Sequence, residues 1–190
     1  MAQTTTWTPD RLRPAGALAL LGGVAWLLAG VAAGVADLDD RTVFSTIEVA
    51  WIVADALLLV ALLGLGSSRA AAGRLGLAGI GGAVLGRFAF IAAEIQALAQ
   101  GNDETPLLPV AAMLTSVSMI LVGIVVLRSG HWTGWRRLVP LGIGVYPLLF
   151  MIPFAATSPE PPMFAIAGWG VLWALLGLAL RKEADQADLR

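Results

Sequence analysis

Residues 46–66 read TIEVAWIVADALLLVALLGLG, and residues 79–100 read GIGGAVLGRFAFIAAEIQALAQ. Each stretch is apolar over about twenty residues, the length that an α-helix needs to cross a hydrocarbon core of about 30 Å. Both nevertheless carry charged side chains, namely Glu48, Asp55, Arg87 and Glu94. A charge at the centre of a membrane helix costs about 2.5 to 3.5 kcal/mol, so such residues persist where they face one another or a polar cavity. The two stretches therefore predict a membrane protein, and their charged residues predict the location of its functional site.

The composition of the whole chain supports a membrane protein. Hydrophobic residues make up 58% of the 190 residues and charged residues 13%, whereas an ordinary soluble domain is about 25% charged. We predict an all-α fold, a polytopic membrane bundle of six transmembrane helices in one domain. The predicted helices span residues 14–36, 43–66, 75–99, 106–127, 138–156 and 162–180. The first is interpreted as a retained membrane helix, because its apolar run is too long for a signal peptide.

Basic residues predict the orientation of the bundle. They concentrate before the first helix, in the second and fourth connections and after the sixth helix: Arg11, Arg13, Arg69, Arg74, Arg128, Arg136, Arg137, Arg181 and Lys182. The other three connections carry mainly Asp and Glu. The positive-inside rule then predicts that both termini are cytoplasmic. Since the residue usage is typical of a bacterium, we expect a multi-pass protein of the bacterial cytoplasmic (inner) membrane.

Residue counts narrow the chemistry and the partners. The absence of cysteine excludes disulfides, thiolate metal sites and a cysteine nucleophile, and the single histidine, His131, excludes bis-histidine haem ligation. We expect no metal and no cofactor. A net charge of -1 offers no basic surface for nucleic acid. The expected partners are membrane lipids, a small-molecule ligand inside the bundle, and either further copies of the chain or a partner membrane subunit.

The charged residues are arranged by depth and by helix face. Glu48 and Asp55 are seven positions apart, as are Arg87 and Glu94, so each pair lies on one face of its helix. Asp55 and Arg87 are expected about 16 to 18 Å below the outer end, and the two glutamates about 7 Å. Arg87 keeps its proton and needs a carboxylate, for which Asp55 is the candidate at matching depth. The two glutamates then share a proton, or hold a cation or donor group of a substrate.

Aromatic residues extend the predicted site. Trp51 lies between Glu48 and Asp55 in the sequence. In the fifth helix Pro147 frees the carbonyl of Ile143, and a kink there would turn Tyr146 or that carbonyl inward. The predicted substrate-binding residues are Glu48, Trp51, Asp55, Arg87, Glu94 and Tyr146. Further rings could line a pocket, namely Phe88, Phe90, Phe150, Phe154, Trp169 and Trp173.

Small and hydroxyl-bearing residues predict how the helices pack. The first helix is expected to serve helix packing. The third helix carries a stripe for close backbone contact, formed by Gly79, Gly82 and Gly86. Hydroxyl groups near the middle of the fourth helix are expected to bond to carbonyl groups one turn earlier in the same helix: Thr115, Ser116 and Ser118.

Three classes of function fit this pattern. The favoured one is a transporter or membrane solute-binding subunit that takes a cationic or amphipathic small molecule from the outer side onto the acidic residues. The second is an intramembrane enzyme in which Glu48, Asp55 or Glu94 protonates an isoprenoid or sterol-like substrate inside an aromatic pocket. The third is a structural or regulatory membrane subunit whose charges specify helix pairing.

Overall fold

The structure is a computed structural model that describes residues 9–103, 105–153 and 163–188. Its regular secondary structure over these residues is helical, with no strand, which confirms the all-α prediction. The α-helices within these ranges are α1 (Pro9–Val35), α2 (Arg41–Ser67), α3 (Arg74–Gln100), α4 (Leu107–Ser129), α5 (Val139–Tyr146) and α6 (Met163–Asp188). All except α5 are long and apolar enough to cross a membrane.

The observed bounds differ from the predicted ones mainly at the chain ends. Helix α1 begins at Pro9 and α6 continues to Asp188, so both helices extend past their apolar runs. After α5, one π-helical turn (Pro147–Met151) continues the helix as far as residue 153. The end of the predicted fifth helix, residues 154–156, lies outside the described residues. The described part therefore contains five membrane-length helices and most of a sixth helical segment.

The helices form a closed ring. Each helix packs against the next one in the sequence, and α6 packs against α1. The contact between α1 and α6, the first and last helices, is the most extensive in the bundle. A ring of this kind directs one face of every helix inward, so side chains from distant parts of the sequence meet at its centre.

Glycines allow α1 and α6 to approach closely. On each helix they recur every seven residues, and we call this set the glycine seam: Gly16, Gly23 and Gly30 on α1, with Gly170 and Gly177 on α6. A Cβ atom added at any of these five positions would collide with the facing helix. The absence of side chains there brings the two backbones into direct contact.

The glycine stripe predicted on α3 is confirmed as a close-contact surface. It faces α4, where Cβ atoms added to Gly79, Gly82 and Gly86 would press on Val122, Ser118 and Thr115 respectively. This contact fixes the rotation of α3, and hence the direction in which Arg87, the residue after Gly86, enters the bundle.

The two ends of the bundle differ in charge. An ion pair of 3.0 Å between Arg13 Nη2 and Asp185 Oδ1 joins the start of α1 to the end of α6. Trp132 in the α4–α5 connection donates a hydrogen bond of 3.0 Å to Glu183 Oε2 of α6. We call this side of the bundle the basic end. The α1–α2 and α3–α4 connections lie at the opposite side, the acidic end, which carries Asp37, Asp39, Asp40 and Asp103.

Candidate functional site

Arg87 and Asp55 form an ion pair at the centre of the ring. Nη1 of Arg87 donates to Oδ1 of Asp55, and both side chains have 0% exposure. Helices α2 and α3 are adjacent and antiparallel, so two residues at similar depth are brought side by side. The predicted pairing of these two residues is confirmed.

Four aromatic rings enclose the guanidinium group of Arg87. Its Cζ lies 4.5 Å from the ring centroid of Trp173, 4.6 Å from Trp169, and 5.0 Å from both Trp26 and Phe90. We call these four rings the aromatic cage. Each ring presents electron density to the cation, an interaction worth about 2 kcal/mol or more when the cation is desolvated. The cage thus replaces part of the hydration that Arg87 loses inside the bundle.

The cage is held in place by its own contacts. Trp26 packs edge-on against Phe90 and Trp169, with ring centroids 5.7 and 5.6 Å apart. Its indole N–H donates to the carbonyl oxygen of Ile166 over 2.9 Å, and that of Trp169 donates to the carbonyl oxygen of Ile143 over 2.8 Å. Trp26 on α1 and Trp169 on α6 are therefore held by backbone carbonyl groups of neighbouring helices.

The sequence analysis did not include Trp26 among the site residues, because α1 was expected to serve helix packing. Its position near the middle of an apolar helix, at a depth similar to that of Asp55 and Arg87, could have indicated a place in the site. Trp169 and Trp173, four residues apart on α6, were recognised as pocket candidates, and both belong to the cage together with Phe90.

The three acidic side chains form a row from the acidic end to Arg87. Glu48 has 8% exposure, Glu94 3% and Asp55 0%. Glu94 lies within hydrogen-bonding reach of Asp55 and within electrostatic reach of Glu48, and Glu48 interacts in turn with Asp103. We call Glu48, Glu94 and Asp55 the carboxyl row. The predicted partner of Glu94 was Glu48, but the structure places the carboxyl group of Asp55 closer to it.

Several polar atoms in the core have no hydrogen-bond partner. They include Nε and Nη2 of Arg87, Oδ2 of Asp55 and Oε2 of Glu94. The hydroxyl oxygens of Thr115 and Ser116 on α4 are also buried without a partner, so the predicted hydrogen bonds to their own helix are wrong for these two residues. Buried polar atoms are almost always paired in folded proteins. Four of these unpaired atoms belong to the neighbouring residues Arg87, Asp55 and Glu94.

The remaining predicted residues lie outside the immediate surroundings of Arg87. Trp51 is buried against Trp26, with ring centroids 4.5 Å apart. Tyr146 donates its hydroxyl to the carbonyl oxygen of Ala165 over 2.9 Å and therefore faces α6. The freed carbonyl of Ile143 does point into the bundle, as predicted, because it accepts the hydrogen bond of the fully buried Trp169.

The other aromatic residues predicted to line the pocket do not lie in the core of the bundle where the structure describes them. Phe88 and Phe150 are 56% and 46% exposed, on the outside of the bundle, and Phe154 lies outside the described residues.

Among the side chains that the structure describes, no three of His, Cys, Asp and Glu are grouped closely enough to hold a metal ion.

No protein-family model, curated protein or solved structure matches this chain. The geometry of the carboxyl row and the aromatic cage is consequently the basis for proposing a function.

Proposed function

We propose that the protein is a membrane carrier, or the membrane solute-binding subunit of one, for a cationic or amphipathic small molecule. The observation that carries this proposal is the carboxyl row, which leads from the acidic end to the caged Arg87. The proposal includes an orientation in which both termini are cytoplasmic, so that the acidic end faces outward. It also includes placement in a bacterial inner membrane.

Charge balance favours a cationic solute. The row contains three carboxyl groups, and the nearby guanidinium group of Arg87 pairs with only one of them, Asp55. Asp103 adds another acidic group where the row meets the acidic end. Charges in a site shielded from water interact more strongly than in bulk solution, and a cleft lined by one sign of charge concentrates the opposite ion. The entrance to the row therefore attracts cations.

The inner end of the row is closed in this conformation. Arg87 has 0% exposure and is surrounded by the aromatic cage, whose rings come from α1, α3 and α6. A solute held at Glu48 and Glu94 has no passage beyond Asp55 until the cage opens. A closed inner gate below an outer binding region is the arrangement that alternating access requires.

The two other classes of function have less support. In an isoprenoid or sterol enzyme, aromatic rings would surround the carbocation, but here four of them surround Arg87, whose positive charge repels a second cation. A purely structural role would be met by the pair of Arg87 and Asp55. A purely structural role does not explain why Glu48 and Glu94 are also buried near this ion pair.

Binding of lipophilic monovalent cations tests the proposal. Purified full-length protein in lipid nanodiscs is titrated with tetraphenylphosphonium and with tetraethylammonium, and binding is followed by calorimetry. We expect binding of at least one cation, weakened about tenfold or more by Glu48→Gln, which corresponds to about 1.4 kcal/mol. Asp39→Asn is the matched control, because Asp39 is an exposed acid at the same end but outside the row. Absence of binding by both cations, or equal weakening by Asp39→Asn, would contradict the proposal.

A further inference from the structure

The core of the ring has an excess of acidic groups over cations. Arg87 is the nearby cation, whereas Asp55, Glu94 and Glu48 are all nearby acids. The described basic residues of α1, α4 and α6 lie at the basic end, namely Arg13, Arg128, Arg181 and Lys182. Arg41 lies at the acidic end, close to Gly101. With all three acids ionised, the buried row would carry two uncompensated negative charges.

The described groups around Glu94 supply no second protein cation to reduce this excess. Helix α2 contributes Asp55 and Glu48, and Arg87 lies on the same helix as Glu94. Helix α4, which packs against the other side of α3, has no charged side chain among its buried residues. Oδ2 of Asp55 and Oε2 of Glu94 are buried and lack hydrogen-bond partners. Because an ionised carboxylate only accepts hydrogen bonds, two neighbouring carboxyl groups attract each other only when one is protonated.

We propose that one proton, shared by Glu94 and Asp55, is the ion bound in the closed core, and that a cationic solute replaces it when the row opens. This inference rests on the proposed function for the identity of the replacing cation. A proton is the one cation that needs no cavity of its own, which matches the complete burial of the atoms concerned. In the closed state Arg87, Asp55 and protonated Glu94 together have no net charge, and Glu48, which is 8% exposed, carries the remaining negative charge of the row.

The exchange step conserves charge and atoms. The O–H bond of Glu94 breaks, the proton passes to the carboxylate of Glu48, and from there it passes to water at the acidic end. Glu94 remains as a carboxylate, so the group formed with Arg87 and Asp55 acquires one negative charge. One monovalent cation then restores neutrality, which predicts release of one proton for each cation bound.

Infrared spectroscopy without any solute tests the proton site directly. Purified full-length protein in nanodiscs should show the carbonyl band of a protonated carboxyl group at neutral pH, with a shift in D₂O. Glu94→Gln should remove this band, because glutamine has no carboxyl group, and it should leave the fold intact, because glutamine has a similar size and can still donate a hydrogen bond to Asp55. Glu94→Asp should retain a shifted band, and Asp39→Asn should leave the band unchanged. Absence of the band from the wild-type protein, or its persistence in Glu94→Gln, would overturn the inference.

A second measurement tests the exchange. Tetraphenylphosphonium is added to weakly buffered protein that contains a pH-indicator dye, and we expect one proton released per bound cation in the wild type and none in Glu94→Gln. Binding without proton release would overturn the coupling. If no cation binds while the infrared band is present, the carrier proposal fails and the proton site stands. The two proposals therefore fail in different experiments.

Discussion

Trp169 donates its indole N–H to the carbonyl oxygen of Ile143 over 2.8 Å. This carbonyl is available because Pro147, four residues later, has no N–H to offer it. The proline thus creates an acceptor in α5, and a tryptophan of the aromatic cage uses it. This bond links α5 to the site around Arg87.

Replacing the two tryptophans of α6 by phenylalanine should have unequal effects. Trp169→Phe leaves the carbonyl of Ile143 buried and unpaired, and we expect a loss of about 1 to 3 kcal/mol of stability. Trp173→Phe keeps a ring beside Arg87 and breaks no hydrogen bond, since Nε1 of Trp173 has no partner, so its loss should be smaller. Thermal unfolding of both variants in detergent measures the difference, and equal losses would contradict this account.

Asp55 and Glu94 should substitute for each other as partners of Arg87. In Asp55→Asn, Glu94 can lose its proton and supply the missing carboxylate, and Glu94→Gln leaves the original ion pair intact. The double variant leaves the guanidinium group without either acid, for which we expect a loss of about 3 to 5 kcal/mol. A double-mutant cycle of unfolding free energies should show that this loss exceeds the sum of the single losses. Simple additivity would count against a shared role.

The glycine seam should tolerate no added methyl group. Gly23→Ala would place a Cβ atom against the backbone of Ala174 on α6, and overpacking of this kind costs about 1 to 3 kcal/mol. Gly81 of α3 is the matched control, because a Cβ atom added there meets nothing within 4 Å. We expect a lower melting temperature for Gly23→Ala and no loss for Gly81→Ala.

Two serines of α4 should respond differently to alanine. Oγ of Ser116 is buried without a partner, so Ser116→Ala should be neutral or slightly stabilising, since it removes an unpaired polar atom. Oγ of Ser129 donates to the carbonyl oxygen of Val126 over 2.9 Å, and Ser129→Ala should cost about 0.5 to 1.5 kcal/mol. Destabilisation by Ser116→Ala would mean that its hydroxyl does bond within the helix.

The sequence was sufficient to predict the all-helical fold and the central ion pair. Apolar runs of membrane length predicted the five helices that are long enough to cross a membrane, whereas the predicted fifth helix appears over the described residues as the short α5 and a π-helical turn. The pairing of Arg87 with Asp55 followed from matching depth and from the need of a buried guanidinium group for a carboxylate. The stripe of Gly79, Gly82 and Gly86 was recognisable because small residues on one helix face allow close backbone contact.

The neighbour of Glu94 was not predicted, because depth alone ignores the direction of side chains. Side chains on a helix lean towards its N-terminus. Glu94 on α3 therefore leans away from the acidic end, and Asp55 on the antiparallel α2 leans towards it, so their carboxyl groups converge. Glu48 leans towards the acidic end for the same reason and approaches Asp103.

The role of Trp26 was not predicted because it depends on the contact between α1 and α6 that closes the ring of helices. Nothing in the local pattern of α1 indicates that it packs against α6, more than a hundred residues away. That contact depends on matching glycines in the two helices, and it brings Trp26 and Trp169 together.

The length of α6 was underestimated because its C-terminal end is polar, and an apolar run was the pattern used to predict each helix. In the structure this end accepts hydrogen bonds from Trp132 and Arg136.

The contact between the first and last helices has a consequence for biosynthesis. Since a ribosome produces the chain from its N-terminus, Asp55 and Trp26 are already made when Arg87 emerges, whereas Trp169 and Trp173 are still untranslated. During elongation the newly inserted guanidinium group has a carboxylate and only part of its aromatic enclosure. The cage is completed only when α6 has been made and packs against α1, so the guanidinium group stays partly unenclosed while the helices between α3 and α6 are synthesised.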